Sequence, residues 1–175
     1  MTILGVDDFK AKLKGGGARS NLFKVVINFP IFAGGDAEIT SFMCRAASLP
    51  GSTMEPIPVA FRGREVKVAG DRSFEPWTVT VYNDTDFQVR NAFERWMNGI
   101  NAHQTNTGFT NPVDYQTDLI VDQINRDESI LKRYNMRGCF PTLVSPIDLS
   151  FDQASAIEEF TVDFQIQYWE SDTTS

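Results

Sequence analysis

The chain has 175 residues and a mass of 19.7 kDa, room for one domain and hardly for two. Hydrophobic residues make up 42% and charged residues 22%, enough apolar matter for a packed core, which excludes a globally disordered chain. Sixteen Lys and Arg against 23 Asp and Glu leave a net charge of -7, which argues against gripping nucleic acid through its phosphates.

Taken in chain order, Val6 to Lys14 reads as a short polar helix, separated from the first strand by Gly15-Gly16-Gly17. That triple glycine precedes Ala18-Arg19-Ser20 and lacks the Lys-Ser/Thr of a phosphate loop, so it reads as a hinge for an N-terminal arm over residues 1–20. Strands are expected at Asn21–Phe29, Ile39–Ala47, Met54–Phe61, Glu65–Ala69 and Trp77–Tyr82, rich in Val, Ile, Phe and Thr and bounded by turn formers. Leu49 to Pro58 holds three prolines, making it stiff and extended, suited to lining a sheet edge or reaching a neighbour. Val25 to Ala33 is the nearest approach to a membrane span; it carries Asn28 and Pro30 and is far short of the roughly 18 apolar residues required, so no membrane insertion is expected.

One helix stands out over about Asp86 to Ile100, where Val89, Phe93, Trp96, Met97 and Ile100 make one apolar stripe. Asn83, Asp84 and Thr85 offer its cap and Gly99 lies near its end. Asn101 to Asp114 is polar and contains Gly and Pro, the composition of a long mobile loop. Further strands are expected at Tyr115–Ile124, whose two faces are both partly apolar, and at Ile130–Cys139 and Ile147–Phe151. From Phe160 to Tyr168 the alternation is clear: Phe160, Val162, Phe164, Ile166 and Tyr168 on a dry face, Thr161, Asp163, Gln165 and Gln167 on a wet one. The expected fold is mainly β, an antiparallel sandwich or barrel with one packed α-helix.

The chemical inventory is thin. The single histidine, His103, sits in the polar loop, and no Gly-x-Ser-x-Gly elbow accompanies it. Cys44 and Cys139 are far apart and unpaired by motif, which fits a reducing compartment and offers neither a disulfide framework nor a zinc site. No catalytic residue, cofactor or metal is expected. With no basic-then-apolar leader, the chain is expected to be made and kept in a cytoplasm.

Charge is unevenly placed. Residues 1–100 hold 11 acids and 12 bases, residues 101–175 hold 12 acids and 4 bases. Within Ala60-Phe-Arg-Gly-Arg-Glu-Val-Lys-Val-Ala-Gly-Asp-Arg72, the cations Arg62, Arg64, Lys67 and Arg72 crowd around two glycines. They form either a solvated hairpin tip or a docking element whose guanidinium forks meet a neighbour's carboxylates. The acid-rich second half offers such carboxylates in every copy of the chain, which makes self-assembly a natural use.

Leu49-Pro-Gly through Phe61-Arg-Gly-Arg64, then Val68-Ala-Gly-Asp-Arg72-Ser-Phe74 and Trp77-Thr-Val-Thr-Val-Tyr-Asn-Asp84, resemble the tail tube proteins of contractile-tailed bacteriophages. Ala18-Arg-Ser-Asn-Leu-Phe-Lys-Val25, Gly138-Cys-Phe-Pro141 and Phe160 to Glu170 are similar as well. The resemblance implies a virion protein, assembled in the host cytoplasm, forming hexameric rings with a continuous lumen β-barrel. Those rings would stack inside a sheath, with tape-measure protein in the lumen, baseplate or hub and tail-terminator proteins at the ends, and DNA passing without specific binding. It also implies that the long Met54–Gly70 arm and the N-terminal segment make the inter-subunit and inter-ring contacts, so the 49–76 arm is expected to be interfacial through Met54, Ile57, Phe61, Arg62, Arg64, Lys67 and Arg72.

Geometry permits such a conduit. Four strands from each of six subunits, roughly 4.8 Å apart, give a circumference of about 115 Å and a diameter near ~37 Å, or ~45 Å when tilted by about 35°. After side chains of roughly 5 Å per wall, more than the ~20 Å of a DNA duplex remains. A wall rich in Asp, Glu, Gln and Thr would repel phosphates across that gap, whereas inward Lys or Arg would trap them. Two other readings stay open: the tube of a DNA-free contractile injection or secretion system, and a monomeric β-barrel binding an apolar ligand through Phe93, Trp96 and Met97.

Overall fold

The longest strand organises the molecule. In the computed structural model, which describes residues 5–174, β7 runs from Ile130 to Val144 and bends where Gly138 takes a φ of +62°. A side chain at Gly138 would also collide with Gln167. The other strands are β1 Phe23–Ile27, β2 Cys44–Ala47, β3 Ser52–Phe61, β4 Arg64–Phe74, β5 Trp77–Tyr82, β6 Thr117–Ile124, β8 Glu159–Gln165 and β9 Tyr168–Ser171. Seven of them form one antiparallel sheet, ordered β1-β6-β7-β8-β5-β2, with β9 also on β7. The first half of β7 pairs β6 and β9, and its last residues pair β8. The strand order ends at β1 and β2, which are its edges, and β9 adds a further margin beside β7. Helix α2, Ala37–Met43, packs on β1 and also touches β2 and β5.

The core is aromatic. Helix α3, Gln88–Ile100, buries Val89, Ala92, Phe93 and Trp96, the i, i+3, i+4, i+7 stripe expected of its sequence. Phe93 meets Phe29, Phe160 and Phe164 at centroid distances of 5.1, 6.2 and 5.9 Å. The Trp96 indole N–H donates to the Tyr115 carbonyl (2.8 Å) and that of Trp77 to the Ser48 carbonyl (2.6 Å), so both large rings are buried without an orphaned donor. With Phe93 and Trp96 wholly enclosed by protein side chains, the space required by an apolar ligand at these residues is already filled.

Several expectations are corrected. Ile39–Ala47 is helix before strand: Asp36 Oδ1 accepts from the Glu38 and Ile39 amides at 2.8 and 3.3 Å, nucleating α2, and only Cys44–Ala47 is extended. Ile147–Phe151 forms no strand; it follows Pro146 inside a loop, with Leu149 and Phe151 in solvent. Tyr115 ends a short helix α4, Pro112–Tyr115, capped by Asn111, so β6 begins at Thr117. The 101–114 segment folds back on α3: Phe109 donates its amide to the Gly99 carbonyl (3.2 Å) and lays its ring 4.8 Å from that of Phe32. The dry face of Phe160–Tyr168 stops at Ile166. Gln167 donates its amide to Arg137 O, and Tyr168 opens β9, 46% exposed. Residue Phe87, at φ +54°, precedes α3, while Gly99 accommodates Phe32 rather than capping; a Cβ there would lie 2.3 Å from that ring. The 1–20 arm contains helix α1, Val6–Lys12, with residues 1–4 outside the described residues.

Phe93→Ala should cost ~3–5 kcal/mol through the cavity it leaves. Calorimetry of the variant should show a fall in Tm of roughly 10 °C. A shift under about 3 °C would mean the core is organised around other side chains.

Candidate assembly surface

Strands β3 and β4 pair only with each other and form a ribbon apart from the main sheet. Its root is fastened to the body. The Trp169 indole N–H donates to the Gly51 carbonyl (3.1 Å), its ring meets Phe74 edge-on at 6.3 Å, and the Thr53 hydroxyl bonds Glu75 (3.1 Å). Beyond the root every residue of β3 is exposed.

The register explains what the ribbon presents. Ile57 faces Val68, Val59 faces Val66 and Phe61 faces Arg64, so one face is a continuous apolar stripe ending in a cation. Its side chains remain about half exposed, and Phe61 61%. The opposite face pairs Pro56 with Ala69 and Pro58 with Lys67, and continues toward the root as Met54 with Arg72. A bulge opposite Glu55 separates the two stretches. There the Glu55 carbonyl approaches so closely that a Cβ on Gly70 would lie 2.4 Å from it.

The tip is a two-residue turn with Arg62 at φ +48° and Gly63 at φ +78°, the sign pair of a type I′ hairpin. Glycine takes this conformation freely, whereas an arginine does so at a cost of about 1–2 kcal/mol. The Arg62 guanidinium lies 5.3 Å from the Phe61 ring centroid, a cation–π contact that offsets part of this. Among the described residues, Arg62, Arg64, Lys67 and Arg72 enter no ion pair, unlike Arg133 and Arg137 of β7. Arg133 holds Asp122 through two bonds of 2.7 and 2.8 Å, and Arg137 bonds Asp118 at 2.7 Å; these carboxylates raise both guanidinium pKa values. The structure thus gathers all seven residues expected at the interface onto one ribbon but divides them. Ile57, Phe61 and Arg64 share a face, Met54, Lys67 and Arg72 lie on the other, and Arg62 is at the turn.

Burial pushes the Cys44 thiol up to about 11 and that of Cys139 to about 12, so neither is a thiolate near neutrality. His103 is exposed, and only its backbone N–H is engaged, with Asn98 Oδ1. Among the described residues no cluster of three or more His, Cys, Asp or Glu is placed to hold a metal, and no helix is long and apolar enough to cross a membrane.

The profile of the phage tail tube protein family matches residues 18–172. The chain belongs to the phage tail tube protein family. It is 38% identical to the tail tube protein gp19 of Enterobacteria phage T4, over 94% of this chain and 99% of that protein. Identity to the tail tube protein gp19 of Enterobacteria phage T6 is 37% over the same shares. A chain in the cryo-EM structure of an extracellular contractile injection system, the PVC sheath/tube terminator in its extended state, superposes with a TM-score of 0.65. It covers 87% of this chain and 94% of its own, and at 15% identity it shares the fold. As a tail tube family member the protein is a structural component of a virion's tail.

The ribbon's turn supplies a direct check. Arg62→Asn should leave stability within ~1 kcal/mol, because Asn tolerates the left-handed region, whereas Arg62→Val should cost about 1–2 kcal/mol. Equal melting of the two variants would show that position 62 does not hold a positive φ in solution.

Proposed function

We propose that this tube protein is a non-enzymatic subunit that closes with five copies into a ring and stacks, ring on ring, into the inner tube of a contractile tail. The unpartnered β3–β4 ribbon carries this reading. A two-stranded ribbon is marginal in water, and this one leaves Met54, Ile57, Val59, Phe61, Val66 and Val68 uncovered. A neighbouring copy that accepts it removes both the apolar exposure and the open strand margins. In this reading Met54, Ile57, Phe61, Arg62, Arg64, Lys67 and Arg72 are interfacial. The free margins of β1 and β2 extend the sheet from subunit to subunit into a lumen barrel.

The wall of the conduit is assigned to the face of β5 and β8 that looks away from the core. It carries Thr78, Thr80, Thr161, Asp163 and Gln165, and neither strand contains a cation. The Thr78 hydroxyl donates to Asp163 Oδ1 (2.7 Å), which fixes the carboxylate in the plane of the wall. A surface of this composition offers phosphates no counter-charge, so DNA and tape-measure protein slide along it without being held. Sheath, baseplate or hub, and terminator proteins are the partners outside and at the ends. The DNA-free alternative shares the fold, but the relatives at 37–38% identity are phage proteins, which favours the genome conduit.

Negative-stain microscopy of the purified full chain should show rings or filaments with a central hole. Arg62→Glu with Arg64→Glu should abolish them while the monomer melts within ~1 kcal/mol of wild type; collapse of monomer melting instead would make both arginines part of the internal fold. In phage carrying Thr78→Lys and Gln165→Lys, tails should keep their length and genome delivery should slow. Unchanged delivery would remove this face from the bore.

A further inference from the structure

The 146–158 loop forms a large surface feature apart from the ribbon and the sheet. It joins β7 to β8, is tied by hydrogen bonds at its ends, and packs Ile147 on the core. Ser145 bonds the Thr161 backbone through its amide and hydroxyl, at 2.9 and 2.8 Å, and Glu158 receives the Asn83 backbone and side-chain N–H groups at 2.9 Å each. Between these anchors the loop arches away from the sheet. It overhangs a cavity of about 1070 Å³, open to solvent, with Arg45 of β2 and Tyr82 of β5 on its floor. Its crest carries Leu149, Phe151 and Ile157 in solvent, Phe151 completely so.

The same loop is acidic in a stretch with no counter-charge. From residue 138 to the end of the sequence there are seven acids and no base. Arg45, on the cavity floor, is already paired with Glu159. Among the described residues Asp148 and Asp152 enter no ion pair. Apolar rim plus free carboxylates is the complement of the ribbon, which offers an apolar stripe ending in Arg64 beside Arg62.

The match is not made within one chain: among the described residues the ribbon is exposed, and neither Arg62 nor Arg64 pairs with a carboxylate of the loop. Strand β5 begins at Trp77, three residues after the ribbon ends at Phe74, and finishes at Tyr82, on the floor of the cavity. Ribbon root and loop therefore lie at opposite ends of the same strand. The ten residues of β3 extend ~34 Å at ~3.4 Å per residue, about twice the roughly 15 Å radius of gyration of a body this size, so the tip reaches well into a neighbour.

We infer, resting on the tube reading above, that the Phe61–Arg64 tip of one copy seats beneath the 146–158 loop of the next. Arg62 and Arg64 meet Asp148 and Asp152, and the apolar stripe packs under Leu149, Phe151 and Ile157. Plug and socket occupy different surfaces, so the contact is head-to-tail: it propagates from copy to copy instead of closing a dimer.

The test is charge exchange on the full chain. Asp148→Lys with Asp152→Lys should reduce sedimentable rings and tubes roughly tenfold or more, as should Arg62→Glu with Arg64→Glu, and the quadruple variant should regain assembly. Because the quadruple variant depends on correct folding, Arg64→Cys with Ser150→Cys gives a second reading. Oxidation should produce a covalent ladder extending beyond dimers, which neither single variant gives, while the half-buried Cys44 and the buried Cys139 stay silent. If the ribbon variant fails to assemble but the Asp148/Asp152 variant forms normal tubes and the ladder is missing, the socket is overturned while the tube reading stands. If the unmodified chain never forms rings, both fall. Normal tubes that have lost binding of another tail protein would give the loop to that protein and also overturn the inference.

Discussion

Water around an uncovered β-ribbon is the constraint to which the rest of the molecule answers. The main sheet buries its apolar face on α3 and around the Phe93 cluster. The β3–β4 ribbon has no such support: Trp169, Phe74 and Glu75 hold its root, and beyond them six large apolar side chains meet solvent. Hydrophobic burial of roughly 25 cal/mol per Å² is thus left unrealised in the single chain and becomes available on association. A packed body and an arm open to solvent thus stand side by side in one chain.

Charge is distributed on the same plan. Arg133 and Arg137 are neutralised in place by Asp122 and Asp118, which pins the outward face of β6 and β7. Strands β5 and β8 have no cations at all, and among the described residues the arginines of the ribbon enter no ion pair. Because long-range attraction falls off within a Debye length, such segregation acts only on surfaces brought close, which a neighbouring copy or a passing polyanion would be. The strained Arg62 fits this scheme: an asparagine would suit the turn better, yet a guanidinium stands at the tip.

Much of the architecture was legible because period and chemistry agreed. Phe160 to Phe164 alternate cleanly and do bury one face, and Val89, Phe93 and Trp96 fall on one helical stripe and do fill the core. The Arg62-Gly63 turn was legible as a basic hairpin tip, though not that its register splits Ile57 and Phe61 from Met54, Lys67 and Arg72. Errors occurred where a local signal was outweighed. Ile39 and Thr40 look like strand residues, but Asp36 supplies two amide acceptors and a helix starts. Ile147, Leu149 and Phe151 alternate like a strand, yet among the described residues no strand pairs with them; Ile147 packs on the core while Leu149 and Phe151 face solvent.

Composition and periodicity alone determined a mainly β domain with one core helix, an acidic second half and a basic arm, since each depends only on residue type and spacing. The tertiary structure decided the bend at Gly138, the packing of Gly99 against Phe32, and the placing of the ribbon and the 146–158 loop at opposite ends of β5. Those depend on which distant segments approach one another, and a close approach in space leaves no period in a sequence.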